Sequence, residues 1–443
     1  MLSFKKTACA VIAACVAIGA APLAHAQSDL LVATQGHVDA PKVFWEGSAN
    51  NFTLKTNFGP NPVPIEQSIL WVGKGYSSKA QQQYFYEITS DDGDKLAFAG
   101  KKGDLLYQAP QNPSANAQDP IWAGFGADTA VPIENFRDQA FTLDMVGFDG
   151  PGRMEMFRYG PGWDKAERML SSHDVGMRSA FMNAGSHTHN NTTFTRPGRY
   201  EIMYKATARG NHGVISSTPQ KLVWQVGGTK PSPEDLGDVA AAYNASSADE
   251  SSDFFPKFTL SKNDKLEKDG DDKLTKMTFT TSDASDQGTA VFYIDGYYLA
   301  EVPVMDGSAE WIEMIGSQTS NFQVVYVPKS GDSPRWVSAP VSYTTGQATT
   351  STNQLGEFPQ KNSQDPAPEF NNSGFSDGSK EVSVSAKTES NKFSNITVQP
   401  ADDRMTLNVK GGYFNKAEDK YADCDVEFVS SPGHRTYLAP SDG

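Results

Sequence analysis

The sequence predicts an all-β protein, a multi-domain chain of β-sandwich, immunoglobulin-like modules joined by flexible linkers. Three observations carry this. Apolar residues recur at a spacing of two in many short runs, as half-buried strands require, and helical periodicity is scarce. Gly, Pro, Asn and Asp punctuate those runs at short intervals. Two stretches rich in small polar residues and proline separate blocks that are each long enough to bury a core.

Residues 1–26 read as a secretory signal peptide. Lys5 and Lys6 lead an apolar run from Ala8 to Ala21, and Ala24-His25-Ala26 is a small-x-small cleavage site before Gln27. The mature chain is therefore expected to be secreted, extracellular or cell-wall associated. Cys9 and Cys15 leave with the signal, and Cys424 alone cannot close an internal disulfide, so stability must come from packed cores. No later segment has the apolar length of a membrane span. The formal charge of −15 becomes about −17 without Lys5 and Lys6, which argues against nucleic acid or anionic membrane as a partner.

Residues 28–227 read as the first β-sandwich domain. Val43 and Trp45, Phe52 and Leu54, and Tyr84 and Tyr86 keep the strand spacing. Asp91-Asp92-Gly93-Asp94 reads as a hairpin turn and Asp149-Gly150-Pro151-Gly152 as another. Tyr107 to Asp128, with Pro110, Pro113, Pro120 and Trp122, reads as a strand-poor loop capping one end. After the Pro197-Gly198 turn, Tyr200, Ile202, Tyr204 and Ala206 share one face of a strand and Arg199, Glu201, Met203 and Lys205 the other.

Residues 228–253 read as a linker with a short helix. Ser232-Pro233-Glu234-Asp235 supplies an N-cap, a proline at the first position and an acidic first turn, with the helix running to about Tyr243. Residues 254–345 read as an immunoglobulin-like domain, with two strands around Asp295-Gly296. Lys268-Asp269-Gly270-Asp271-Asp272 lacks the alternating ligands of a calcium loop and reads as a solvated turn. Residues 346–378 form a second linker. Residues 379–443 form a small C-terminal β module, in which Val382 and Val384, Met405, Leu407 and Val409, then Val426 and Phe428 alternate. Ala439 to Gly443 shows neither a sortase motif nor a hydrophobic tail.

The chemistry concentrates in two short pairs. If Ser186 to Asn190 is extended, His187 and His189 project from one face about 7 Å apart. His37 and Asp39 repeat that spacing near the mature N-terminus. Were the strand bearing His37 to lie beside the strand bearing His187, the four side chains would form a His3Asp set suited to tetrahedral zinc. Local hydrogen bonding at strand ends is the plainer use for them. His173 is a further candidate ligand or a solvated side chain, and His212 sits in a turn. The chain has no His-Glu-x-x-His helix, no Gly-x-Ser-x-Gly elbow and no catalytic context around Cys424, so no enzyme activity is expected.

Four motifs occur in the order of one family: Gly36-His37-Val38-Asp39, Ser68-Ile69-Leu70-Trp71-Val72-Gly73, Asp149-Gly150-Pro151-Gly152-Arg153, and His187-Thr188-His189 followed by Phe194 to Tyr200. Together they resemble the actinobacterial surface-anchored repeat domain, also called the choice-of-anchor M domain, over residues 30–227. Thr192 departs from the pattern, since members usually carry Trp there. The resemblance implies a cell-wall-associated protein whose relatives are often encoded beside ABC transporters with metal-type binding lipoproteins. The function expected is capture of a divalent transition metal, zinc foremost, in aid of uptake by such a transporter through its substrate-binding lipoprotein. The alternative is a non-catalytic structural or adhesive cell-wall protein that holds a glycan, host or haem partner.

Overall fold

The alternation from Tyr200 to Ala206 builds the centre of the molecule. In the strand Gly198–Gly210 the four alternating residues Tyr200, Ile202, Tyr204 and Ala206 are fully buried, whereas Arg199, Glu201, Met203 and Lys205 are half-buried. The Tyr200 hydroxyl donates to the Arg196 carbonyl at 2.7 Å, a tyrosine corner that fixes the entry into this strand. The computed structural model describes residues 30–370, except 74–84, 113–120, 137, 161–164, 211–212, 247–253, 264–272 and 330–333, and four strands between residues 382 and 430. The signal segment, His212 and the acidic turn at 268–272 lie outside the described residues.

Three sheets surround the first core. The largest runs in the order Leu31–Ala33, Ser68–Val72, Gln220–Val226, Gly198–Gly210, Phe141–Asp149 and Ser179–Met182, with Gly213–Ser216 also paired to the long strand. A second holds Ala166–Ser171, Met154–Tyr159, Asn191–Phe194, Leu105–Ala109 and Phe85–Glu87. The third, which carries the site, runs His187–His189, Trp122–Ala127, His37–Glu46, Asn51–Asn57 and Val63–Pro64. Val38, Val43, Leu54, Phe125, Phe194 and Trp224 close the interior between them, at about 1.5–3 kcal/mol for each large side chain removed from water. Tyr107 to Asp128 is thus not strand-poor, because strands occupy its two described ends and one of them is central to the third sheet. Glycines at alternate positions of Trp122–Ala127 mask the strand pattern. Asp92 and Gly93 enter a 3-10 helix, Gly93–Leu96, rather than a two-residue hairpin.

A second sandwich follows. Ser308–Met314, Leu274–Thr280, Lys257–Lys262 and Thr350–Thr352 form one sheet. Tyr297–Val304, Gly288–Ile294, Thr319–Pro328 and Trp336–Val337 form the other, with Val341–Thr344 also paired to Thr319–Pro328. Phe258, Phe279, Phe292, Phe322 and Tyr326 fill the space between them. Four antiparallel strands, Val382–Val384, Phe393–Ala401, Arg404–Asn415 and Lys420–Ser430, make a separate meander.

The described parts of the segments between the cores make specific contacts with both units. Met314 of the second sandwich belongs to the first core, and its carbonyl accepts a hydrogen bond from the Tyr107 hydroxyl. Gly228 N–H donates to Glu313 at 2.7 Å, and Arg196 reaches Ser320 at 2.7 Å and Asp295 at 3.3 Å. The only α-helix among the described residues is Val239–Ala245, capped by Asp238, whose side chain accepts from Ala241 N–H. Ser232 to Asp235 instead close a turn on themselves, because the Asp235 carboxylate takes the Ser232 N–H. Val239 packs with Val291, Val325 and Val337, which holds this stretch on the second sandwich. Residues 357–370 have no strand yet lie across both units. Asn362 N–H bonds to Asp295, and Arg178 bonds to the Pro368 and Glu369 carbonyls with its guanidinium 3.5 Å from the Phe370 ring centroid. No helix among the described residues is long and apolar enough to cross a membrane.

Candidate metal centre

The strand Trp122–Ala127 lies between the two ligand-bearing strands, so the strands of His37 and His187 are not neighbours but flank a common partner. It pairs in parallel with His37–Glu46, setting His37 against Trp122 and Asp39 against Gly124. It pairs antiparallel with His187–His189, setting His189 against Gly124 and His187 against Gly126. Because every second residue shares a face, His37, Asp39, His187 and His189 all emerge over the two glycines. A Cβ at Gly124 would lie 1.8 Å from the Thr188 carbonyl oxygen, and one at Gly126 2.8 Å from that of Ser186. Only glycine allows the histidine strand this close.

All four predicted site residues meet. One ligand atom from each lies within 4.8 Å of the others. Asp39 Oδ1 is 3.1 Å from His187 Nδ1 and 3.4 Å from His37 Nε2. The Nε2 atoms of His187 and His189 are 3.2 Å apart. Ligand atoms around a tetrahedral zinc are separated by about 3.3 Å, given bonds of about 2.0–2.1 Å. The Asp39 contacts match that spacing, while His187 faces Asp39 through Nδ1 and His189 through Nε2 and would give only one of these to an ion, so the rings would turn on binding. The Asp39 side chain is 2% exposed, yet Oδ1 accepts no hydrogen bond. A buried carboxylate oxygen left without a donor is costly, and a cation among the imidazoles would satisfy it.

Trp122 forms the wall. Its indole stacks on His189 with centroids 3.7 Å apart and planes at 19°, and it meets the His37 ring edgewise at 5.1 Å. Its N–H donates to the Gln111 carbonyl at 2.8 Å, which fixes the ring. Lys42 stands behind Asp39, with Nζ 3.5 Å from Oδ2. These two residues and the paired glycines escape a search for ligand types. Their one signal is the run Trp122-Ala123-Gly124-Phe125-Gly126-Ala127, where two aromatics stand among glycines and alanines. His173 is neither a ligand nor solvated: Nδ1 meets Ser172 Oγ at 2.7 Å and Nε2 meets the Asp365 carbonyl at 2.9 Å.

Burial pushes the His189 pKa down to about 4, helped by the neighbouring charges of His187 and His37 and opposed by Asp39. Burial also holds His37 below its ordinary value, against the pull of Asp39. Both rings are therefore neutral at pH 7, the form that binds metal. The sign follows for the metal-free protein: as pH falls below about 6.5 the unfolded chain takes up the proton first, so His189 costs stability down to about pH 4 and no further. At pH 5.5, three ordinary imidazoles would release nearly three protons on binding one ion. Here fewer than about two are expected, measurable by titration calorimetry in buffers of different ionisation enthalpy.

The chain matches no family model and no curated protein.

Proposed function

We propose that the chain is a non-catalytic surface protein that binds one divalent transition metal through His37, Asp39, His187 and His189, with zinc the best match. The orphaned Oδ1 of buried Asp39, aimed at three imidazoles, is the observation that carries this reading. Three nitrogens and one carboxylate oxygen without sulfur suit zinc and disfavour copper(I). When bound, the ion would satisfy Asp39 Oδ1, and the chain's own residues would hold it in place. His37 and His187 side chains remain 40% and 42% exposed, so an ion there stays open to exchange with a partner.

That exposure, together with the resemblance of the ordered motifs to surface-anchored repeat domains, is what this reading draws on for a role outside the cell in handing metal to the binding lipoprotein of an ABC transporter. Calorimetric titration of the mature protein with zinc tests the core of the reading. One ion per chain is expected, and elemental analysis of protein purified without chelator should find it. Absence of binding at neutral pH would remove the proposal.

A further inference from the structure

The strand His37–Glu46 holds a β-bulge just beyond the site. Its register shifts between Asp39 and Lys42 against both neighbours: Asp39 lies opposite Gly124 and Lys42 opposite Gly126, so three residues advance where the partner advances two. In a regular strand, positions 39 and 42 would point to opposite faces. The extra residue, taken up across Ala40 and Pro41, brings Lys42 onto the ligand face instead. The face therefore reads as three rows across the glycine strand. His37 flanks Trp122, Asp39 and His189 flank Gly124, and Lys42 and His187 flank Gly126. Lys42 occupies a place that a fifth ligand could have filled.

We infer that Lys42 sets the affinity of this site: it holds Asp39 by Oδ2 in the metal-free protein, leaving Oδ1 for the ion, and its charge then opposes the bound dication. The inference rests on the metal-binding reading. Lys42 Nζ is 3.5 Å from Asp39 Oδ2, and its side chain is 19% exposed, so solvent screens it only in part. The single negative charge among the four ligands is thus already partnered before metal arrives. A unit charge about 6 Å from a dication weakens binding about tenfold even under water-like screening. Such a site releases its ion faster than its ligand set alone would allow, as suits delivery rather than storage.

Three variants of the full chain separate charge from orientation. Lys42→Gln keeps a donor for Oδ2 and removes the charge; zinc should bind about tenfold or more tightly, with a slower off-rate in competition with a chromophoric chelator. Lys42→Arg keeps both properties and should match the parent. Lys42→Met loses both and should fall below Lys42→Gln, because carboxylates freed of their outer partner lose about 10–100-fold in affinity. A Lys42→Gln protein with native circular dichroism that binds zinc equally or more weakly would overturn the inference. Failure of the unaltered chain to bind zinc would instead overturn the metal reading itself, so the two failures are told apart.

Discussion

Gly124→Ala should abolish zinc binding although every ligand side chain remains in the chain. The added methyl carbon would lie 1.8 Å from the Thr188 carbonyl oxygen, and that atom is backbone rather than the tip of a flexible side chain. The histidine strand must move away from Trp122–Ala127, breaking the pairing that sets His189 against Gly124. A ligand shift of about 1 Å is enough to spoil a coordination sphere whose bonds tolerate about 0.2 Å. The sheet that remains, His37–Glu46 with Asn51–Asn57, packs on the core through Val38, Val43, Phe52 and Leu54, so the fold should persist. Titration calorimetry and circular dichroism together check this. Zinc binding of parental strength by Gly124→Ala would show that the glycine strand does not hold the site together.

The His187→Ala/His189→Ala protein provides the complementary case, with the strand in place and two ligands gone. Outer-shell partners of a metal are worth about 10–100-fold in affinity, so loss of two direct ligands should cost well over about 100-fold. Both rings are half exposed, so the metal-free fold should be little affected. The comparison also reads in stability. An ion held between strands separated in sequence by over a hundred residues binds the folded state alone. At zinc about 100 times its dissociation constant this contributes about 2.7 kcal/mol. The melting temperature of the parent should rise by several degrees with zinc, and that of the double variant should not move. An equal rise in both would place the ion elsewhere.

Much of this architecture was legible from residue order because burial and side-chain spacing coincide. Tyr200 to Ala206 alternate in sequence and in burial, and the same holds for Phe52 and Leu54. The clustering of His37, Asp39, His187 and His189 was legible too, since side chains at i and i+2 share a face when the chain is extended. Their common floor was not. Glycine carries no hydrophobic signal, so Trp122–Ala127 reads as a loop although it is the strand that unites the site. Lys42 was hidden by the bulge, because its distance of three residues from Asp39 puts it on the wrong face in any regular strand. The helix start shifted for a local reason: Asp235 spends its carboxylate on the Ser232 N–H, leaving Asp238 to cap the helix. The segments expected to be flexible are polar in composition, yet Val239 and Asn362 find partners on surfaces distant in sequence, which composition cannot reveal.

The loan of Met314 to a neighbouring interior has a practical corollary. Cutting the chain after residue 227 would not yield a smaller intact domain but a wounded one, with an empty socket beside Tyr107 and a phenol robbed of its acceptor. Any shortened chain meant to keep the candidate site must carry the second sandwich along or plug that socket with a new side chain.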